Sequence, residues 1–357
     1  MSNFSEFVEF TDNIVYCYRN LTKTIIELSF RYDYKGNIEF VKLCTDIVKL
    51  NLPAQYNGEI ESLSSLSNLK EIRFGYDFNF NINPLSSLVS LEKIFFSDRF
   101  NQNINSLSCL TNLKEIDFKW DFNQPVDCLT TLTNLIKIDS GYKFNQSINF
   151  LSTLTNLEEL KLGGHFNQPL GLNDIGKCVN LRILHLGWDF DNYIDGLANL
   201  TNLEYIDFGN DFNKSIEPLK YCSKLVRIRF LGDDFNQPID YLSSCESLKF
   251  IQFGNNFNQP IDNLPKNITE IEFPVCSKFN NPVEYLPESL KRLVFGNDFN
   301  QNMENLPNSL VRLKLCNKYY QHPITNLPNS LKNLEVCDSL KYLIQSDNPN
   351  LKINYTI

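Results

Sequence analysis

Phe122-Asn123-Gln124-Pro125-Val126 decides the fold, because near-copies of it return down most of the 357-residue chain. They are Phe100-Asn101-Gln102-Asn103-Ile104, Phe144-Asn145-Gln146-Ser147-Ile148, Phe166-Asn167-Gln168-Pro169-Leu170, Phe235-Asn236-Gln237-Pro238-Ile239, Phe257-Asn258-Gln259-Pro260-Ile261 and Phe299-Asn300-Gln301-Asn302-Met303. A short segment recurring at a fixed period is the mark of a repeat solenoid, in which each unit buries its apolar face against the next.

Working outward from that segment, one template runs from Ile25: an apolar residue, two variable ones, Ile or Leu, one variable, Phe or Leu, a turn, the Phe-Asn-Gln-Pro-Ile segment and two further leucines. It starts at Ile25, Ile47, Leu69, Leu91, Leu113, Leu135, Leu157, Leu181, Leu203, Leu225, Leu248, Ile268, Leu290, Leu310 and Leu331, which defines about fifteen repeats of 20–24 residues over 25–337. Leu113-Lys114-Glu115-Ile116-Asp117-Phe118 shows the alternation of a short strand, with Ile116 and Phe118 inward and Glu115 and Asp117 outward. Strands that all run one way and are joined by return segments stack as a parallel sheet on one face. The recurrent proline predicts extended or 3₁₀ return segments on the other.

Three rows follow from the period. Gly75, Gly141, Gly163, Gly187, Gly209, Gly254 and Gly296 fall just after the strand, where a turn with positive φ is expected. The signature Phe predicts a stacked aromatic row inside the coil. The Asn after it predicts a ladder, since an amide serves the backbone groups of a turning chain. From Leu264 onward the returns become proline-bearing, as in Leu306-Pro307-Asn308-Ser309-Leu310, and insertions at 171–176 and 231–234 interrupt the period.

The ends differ from the array. Over 1–24, Phe4, Phe7, Val8, Ile14, Val15 and Tyr18 recur at helical spacing after Ser2 or Ser5, which predicts an amphipathic N-terminal cap helix that either seals the first open core face or docks another protein. Residues 338–357 lose the signature and are expected to cap the other end.

Hydrophobic residues make up 42% of the chain, enough for a continuous core, and the net charge of −9 argues against nucleic acid as a partner. The N-terminal residues lack the basic and apolar regions of a secretory signal and no long apolar run follows, so no membrane association and an intracellular location are expected. Of the ten cysteines, Cys44, Cys178, Cys222 and Cys245 fall where other repeats carry leucine, and read as small buried hydrophobes.

The template resembles the leucine-rich repeat, and the Phe-Asn-Gln-Pro-Ile core with Leu-Pro-Asn-Ser-Leu returns resembles the FNIP-repeat subclass known from amoebae and the giant viruses that infect them. The resemblance implies a leucine-rich-repeat solenoid used for protein binding, with no enzymatic activity and, for a viral protein, residence in the host-cell cytoplasm. Some members carry an F-box ahead of the repeats that recruits them to a ubiquitin ligase; here 24 residues precede the first repeat, fewer than an F-box takes.

No catalytic constellation emerges. His165, His185 and His322 lie in different repeats, no cysteine pair has zinc spacing, and no phosphate loop or nucleophile elbow occurs, so no cofactor, metal or catalytic residue is expected. The informative positions are the outward strand residues. Those of the earlier repeats mostly alternate in charge, whereas Ile183, His185, Tyr205, Arg227, Arg229 and Phe250 place apolar, aromatic and arginine side chains on adjacent strands, the types that dominate interfaces. Tyr76, Trp120, Tyr142 and Trp188 share a second position at the strand exit, where they form a lip of anchors or lie flat on neighbouring coils. The expected function is a non-enzymatic protein-interaction scaffold with its partner on the sheet face near 183–250. The alternatives are a substrate-recognition subunit of a ubiquitin ligase docking through residues 1–24, and a structural protein of an assembly or virion.

Overall fold

The structure, a computed structural model, describes residues 6–9, 15–19, 25–30, 34 and 36–356. It divides into two compact units, one of Met1–Gln168 with Asn173–Leu181 and one of Pro169–Leu172 with Arg182–Ile357.

The first unit holds β1 (Glu6–Glu9), β2 (Val15–Arg19), β3 (Ile25–Phe30), β4 (Lys49–Asn51), β5 (Glu71–Arg73), β6 (Lys93–Phe95), β7 (Glu115–Asp117), β8 (Lys137–Asp139) and β9 (Glu159–Lys161). From β3 to β9 every strand pairs in parallel with the next, so that Glu71, Lys93, Glu115, Lys137 and Glu159 stand side by side. Returns such as Asn105–Cys109 and Asp127–Thr131 are 3₁₀ helices. The second unit holds β10 (Ile183–His185), β11 (Tyr205–Phe208), β12 (Arg227–Phe230), β13 (Phe250–Gln252), β14 (Glu270–Glu272), β15 (Arg292–Phe295), β16 (Arg312–Leu315), β17 (Asn333–Cys337) and β18 (Lys352–Thr356), again all parallel. Its returns are 3₁₀ as far as Asp240–Ser244; the proline-bearing ones after Leu264 are plain turns, each closed by a bond such as Leu310 N–H to Pro307 O at 3.0 Å. The tail from Asp338 forms a 3₁₀ helix, Asp338–Leu343, and then β18.

The helix expected over 1–24 is replaced at the described positions by strand. β1 pairs antiparallel with β2, and β2 antiparallel with β3. The edge of β3 offers a row of backbone donors and acceptors that only another strand can satisfy, and the segment from Val15 to Tyr18 is built of β-branched, aromatic and cysteine residues that favour strand. Phe4, Ile14, Ser2 and Ser5 lie outside the described residues.

Two aromatic rows fill the core. The signature rings stack coil on coil, with centroids 6.2 Å apart for Phe78 and Phe100, 6.0 Å for Phe100 and Phe122, and 5.9 Å for Phe212 and Phe235. A second row from the strand ends interleaves with them: Phe96 and Phe118 are 5.1 Å apart, and Phe118 lies 3.9 Å from Phe122. Most of these spacings fall in the range where offset stacking adds to area burial.

The glycine row has a different cause from the one expected. Among these glycines only Gly141 has a positive φ, 85°. Elsewhere the carbonyl of the previous coil occupies the space: a Cβ on Gly75, Gly163, Gly209 or Gly254 would sit 1.6–1.9 Å from the oxygen of Pro53, Gly141, Gly187 or Gly232, and one on Gly296 would sit 2.4 Å from the oxygen of Pro274. Close approach of coils, more than turn chirality, requires the missing side chain.

The Asn row forms the expected ladder, and the Gln beside it has a partner too. Asn101 Oδ1 accepts both the Asn123 backbone N–H at 3.0 Å and the Gln124 side-chain amide at 3.0 Å. Asn123 does the same for Asn145 and Gln146, and Asn213 for Asn236 and Gln237. Where the ladder carries Asp191 instead, the Gln place of the next coil is Lys214, bonded to Asp191 Oδ2 at 2.6 Å, so the exchange is matched in charge.

Phe122→Ala is expected to lower stability by about 3–5 kcal/mol through the cavity left in both rows, and Asn123→Ala by about 1–3 kcal/mol, because the Asn145 N–H loses its acceptor and the Gln146 amide keeps only the Asn123 carbonyl. Urea denaturation of the variants against the parent checks both.

Candidate functional site

In the outward row of the first unit that runs through Lys49, Lys93 and Lys137, charge is matched strand to strand, whereas the row beside it sets Arg73 on the Phe95 ring at 3.5 Å and Asp117 next to Asp139. Lys49 lies 3.2 Å from Glu27, Lys93 is 3.0 Å from Glu115, and Lys137 is 3.1 Å from Glu159. These pairs satisfy one another and leave an ordinary solvated surface.

The face of the second unit is different between β10 and β13. Parallel register sets Ile183, Tyr205, Arg227 and Phe250 side by side in one row, and His185, Asp207, Arg229 and Gln252 in the row beside it. The strands position these side chains because Leu184, Ile206, Ile228 and Ile251, which alternate with them, are completely buried. Tyr205 is 39% exposed, while Ile183, Arg227 and Phe250 are half-buried.

Asp207 locks the second row. It is buried, and its carboxylate accepts from His185 Nδ1 at 2.8 Å and from both Arg229 Nε and Nη2, the Nε contact at 2.5 Å. Burial alone would raise the Asp207 carboxyl, but the hydrogen bonds from Arg229 and His185, with their charge, outweigh it and hold the pKa down to about 2. His185 and Arg229 are thus tied to the sheet and frame the face, with the Arg229 charge answered by the Asp207 carboxylate between them.

In the first row Arg227 is held by an aromatic ring instead of an acid: its Cζ lies 4.1 Å from the Phe250 ring centroid. Trp188, at the exit of β10, is 66% exposed. Trp120 belongs to the first unit, where its ring stacks on Tyr142 at 4.2 Å and 14° and is still 52% exposed, so it lies flat on a neighbouring coil. Asp207 escaped the sequence reading as a site residue. Its signal is the register itself, which sets an acid between a histidine and an arginine.

Other chemistry is sparse among the described residues. No group of three or more His, Cys, Asp and Glu side chains is placed to hold a metal ion. Cys178, Cys222 and Cys245 are buried, with thiols pushed up by burial to about 12, 12 and 11, whereas Cys44 is half-buried. Among the described residues no helix is long and apolar enough to cross a membrane.

Residues 235–276 and 279–318 match the family model of the FNIP repeat. The chain carries FNIP repeats on a leucine-rich-repeat fold. Among solved structures it is similar to CroV588, a circular leucine-rich-repeat protein from a giant virus, with 28% identity, a TM-score of 0.65, and 86% of this chain and 50% of that one covered. The FNIP-repeat chain therefore spans half the length of that relative. It is also similar to the internalin InlF of Listeria monocytogenes, at 16% identity and a TM-score of 0.65 over 95% of this chain and 90% of that one. The leucine-rich-repeat protein LIC12759 of Leptospira interrogans gives 18%, 0.68, 88% and 86%. These two show the fold alone. No curated protein matches the FNIP-repeat chain by sequence.

The depressed Asp207 carboxyl contributes stability that is present above the ordinary aspartate pKa and is lost as pH falls toward 2. Asp207→Asn is expected to be less stable than the parent by on the order of 2 kcal/mol near neutral pH. The gap should close as pH drops from about 4 to about 2 in denaturation series.

Proposed function

We propose that this FNIP-repeat chain is a protein-interaction scaffold whose second unit binds a protein partner on its sheet face, around residues 183–250. The leucine-rich-repeat fold is one commonly used to bind proteins, and CroV588 and LIC12759, which it resembles, are leucine-rich-repeat proteins.

The observation that carries the reading is the row Ile183, Tyr205, Arg227 and Phe250 on four successive strands. Nothing in the core dictates outward residues. The first unit fills the same places with ion pairs, so aromatic, aliphatic and arginine side chains here are a departure from what solubility requires. Large rigid side chains of these types supply most of the energy at protein interfaces. The Asp207 clamp supports the reading further, because a pinned His185 and Arg229 lose little freedom when a partner covers them.

Tyr205→Ala combined with Phe250→Ala is expected to weaken binding of partners co-purified from the native cells by at least about tenfold, since two central anchors are removed. Affinity purification with quantitative mass spectrometry reads this, with thermal melting to show that the fold is kept. Partners retained at parental level by the folded double variant would remove this face from consideration.

A further inference from the structure

The cations on the sheet face of the second unit divide into those answered by acids and those that are not. Arg229 is held by Asp207, Arg292 lies 2.7 Å from Glu272, and Lys314 pairs with Glu335. Arg227 has no carboxylate at ion-pair distance among the described residues, and its Nε is enclosed with no hydrogen-bond partner. Contact with the Phe250 ring does not satisfy it, because guanidinium donors lie in the plane of the group. Lys249, next to Phe250 in the chain, is exposed and likewise has no ion-pair partner among the described residues. The nearest acids in register are already engaged: Asp207 by His185 and Arg229, and Glu270 by Arg292 at 3.8 Å. Arg312, Lys291 and Lys332 are also without an ion pair among the described residues, but Arg312 stands between Arg292 and Asn333, Lys291 between Thr269 and Val311, and Lys332 beside Val311, with no aromatic group in register next to them.

We propose that the occupant of this face is a protein segment carrying a carboxylate side chain beside a bulky apolar one. The carboxylate meets Arg227 and Lys249, and the apolar group rests on Tyr205, Ile183 and Phe250. The inference rests on reading this face as the partner site, and adds the chemistry of what it selects. Two unmatched cations beside apolar side chains form a complementary surface for such a segment in a chain whose net charge of −9 otherwise repels acids. A desolvated guanidinium and carboxylate also discriminate strongly, since a neutral segment would leave Arg227 buried and unpaired.

The test is selection of a displayed library of random twelve-residue peptides on the whole protein, followed by fluorescence anisotropy of the enriched peptides. The expected result is enrichment of Asp or Glu next to Leu, Ile, Phe or Trp, with affinity that falls as salt rises. Arg227→Gln should weaken these peptides by at least about tenfold and flatten their salt dependence, and Tyr205→Ala should weaken them as well. Peptides lost with Tyr205→Ala but showing neither acidic enrichment nor sensitivity to Arg227→Gln would overturn the inference and leave the face as a binding site. Peptides indifferent to Tyr205→Ala, or no enriched peptide at all, would overturn both. Thermal melting of each variant keeps loss of fold apart from loss of binding.

Discussion

Everything in this fold depends on an asparagine oxygen that holds one coil to the next. A chain that turns every 22 residues or so buries backbone donors at the turn, and each must find an acceptor or cost the molecule its desolvation. The Asn Oδ1 accepts the N–H of the following Asn and the amide of the following Gln at once, as Asn101 does for Asn123 and Gln124. That bond sets the vertical register, and the register then stacks the phenylalanines, brings a carbonyl against each glycine and aligns the strands. The Asp191–Lys214 exchange shows the constraint at work: the residue types change together, and the bonds remain.

Periodicity made most of this legible. The recurrence of Phe-Asn-Gln-Pro-Ile implied the parallel sheet and the 3₁₀ returns, and the amide chemistry of asparagine implied the ladder. The glycines were legible as a row but not in cause, because a composition pattern does not separate a positive φ from a carbonyl 1.6 Å away from a missing Cβ, as at Gly163. The N-terminal strands were hidden for another reason. Phe7, Val8, Val15 and Tyr18 suit helical spacing, yet the edge of β3 decides the conformation of β2 and the edge of β2 that of β1, and an edge exists only once the array has been built.

The candidate site was legible as a set of residues and not as a set of roles. Outward positions follow from counting along the template, so Ile183, Tyr205, Arg227 and Phe250 are found together on the sheet. What the sequence does not convey is which charges are spent. Arg229 and His185 belong to Asp207, while Arg227 rests on Phe250 without an acid, and this difference arises from side-chain reach across strands. Two positions of the same residue type thus part into a brace and a contact.

The central claim is that the sheet face of the second unit is covered by a partner in the cell. Hydroxyl-radical footprinting of the protein in native-cell extract, against the purified protein in a solution of inert protein, tests it most directly. The account predicts protection of Tyr205 and Phe250 in the extract, with Tyr319 and Tyr342, exposed elsewhere on the same unit, oxidised equally in both. Equal oxidation of Tyr205 and Phe250 in the two conditions, or protection confined to Tyr319 and Tyr342, would contradict it.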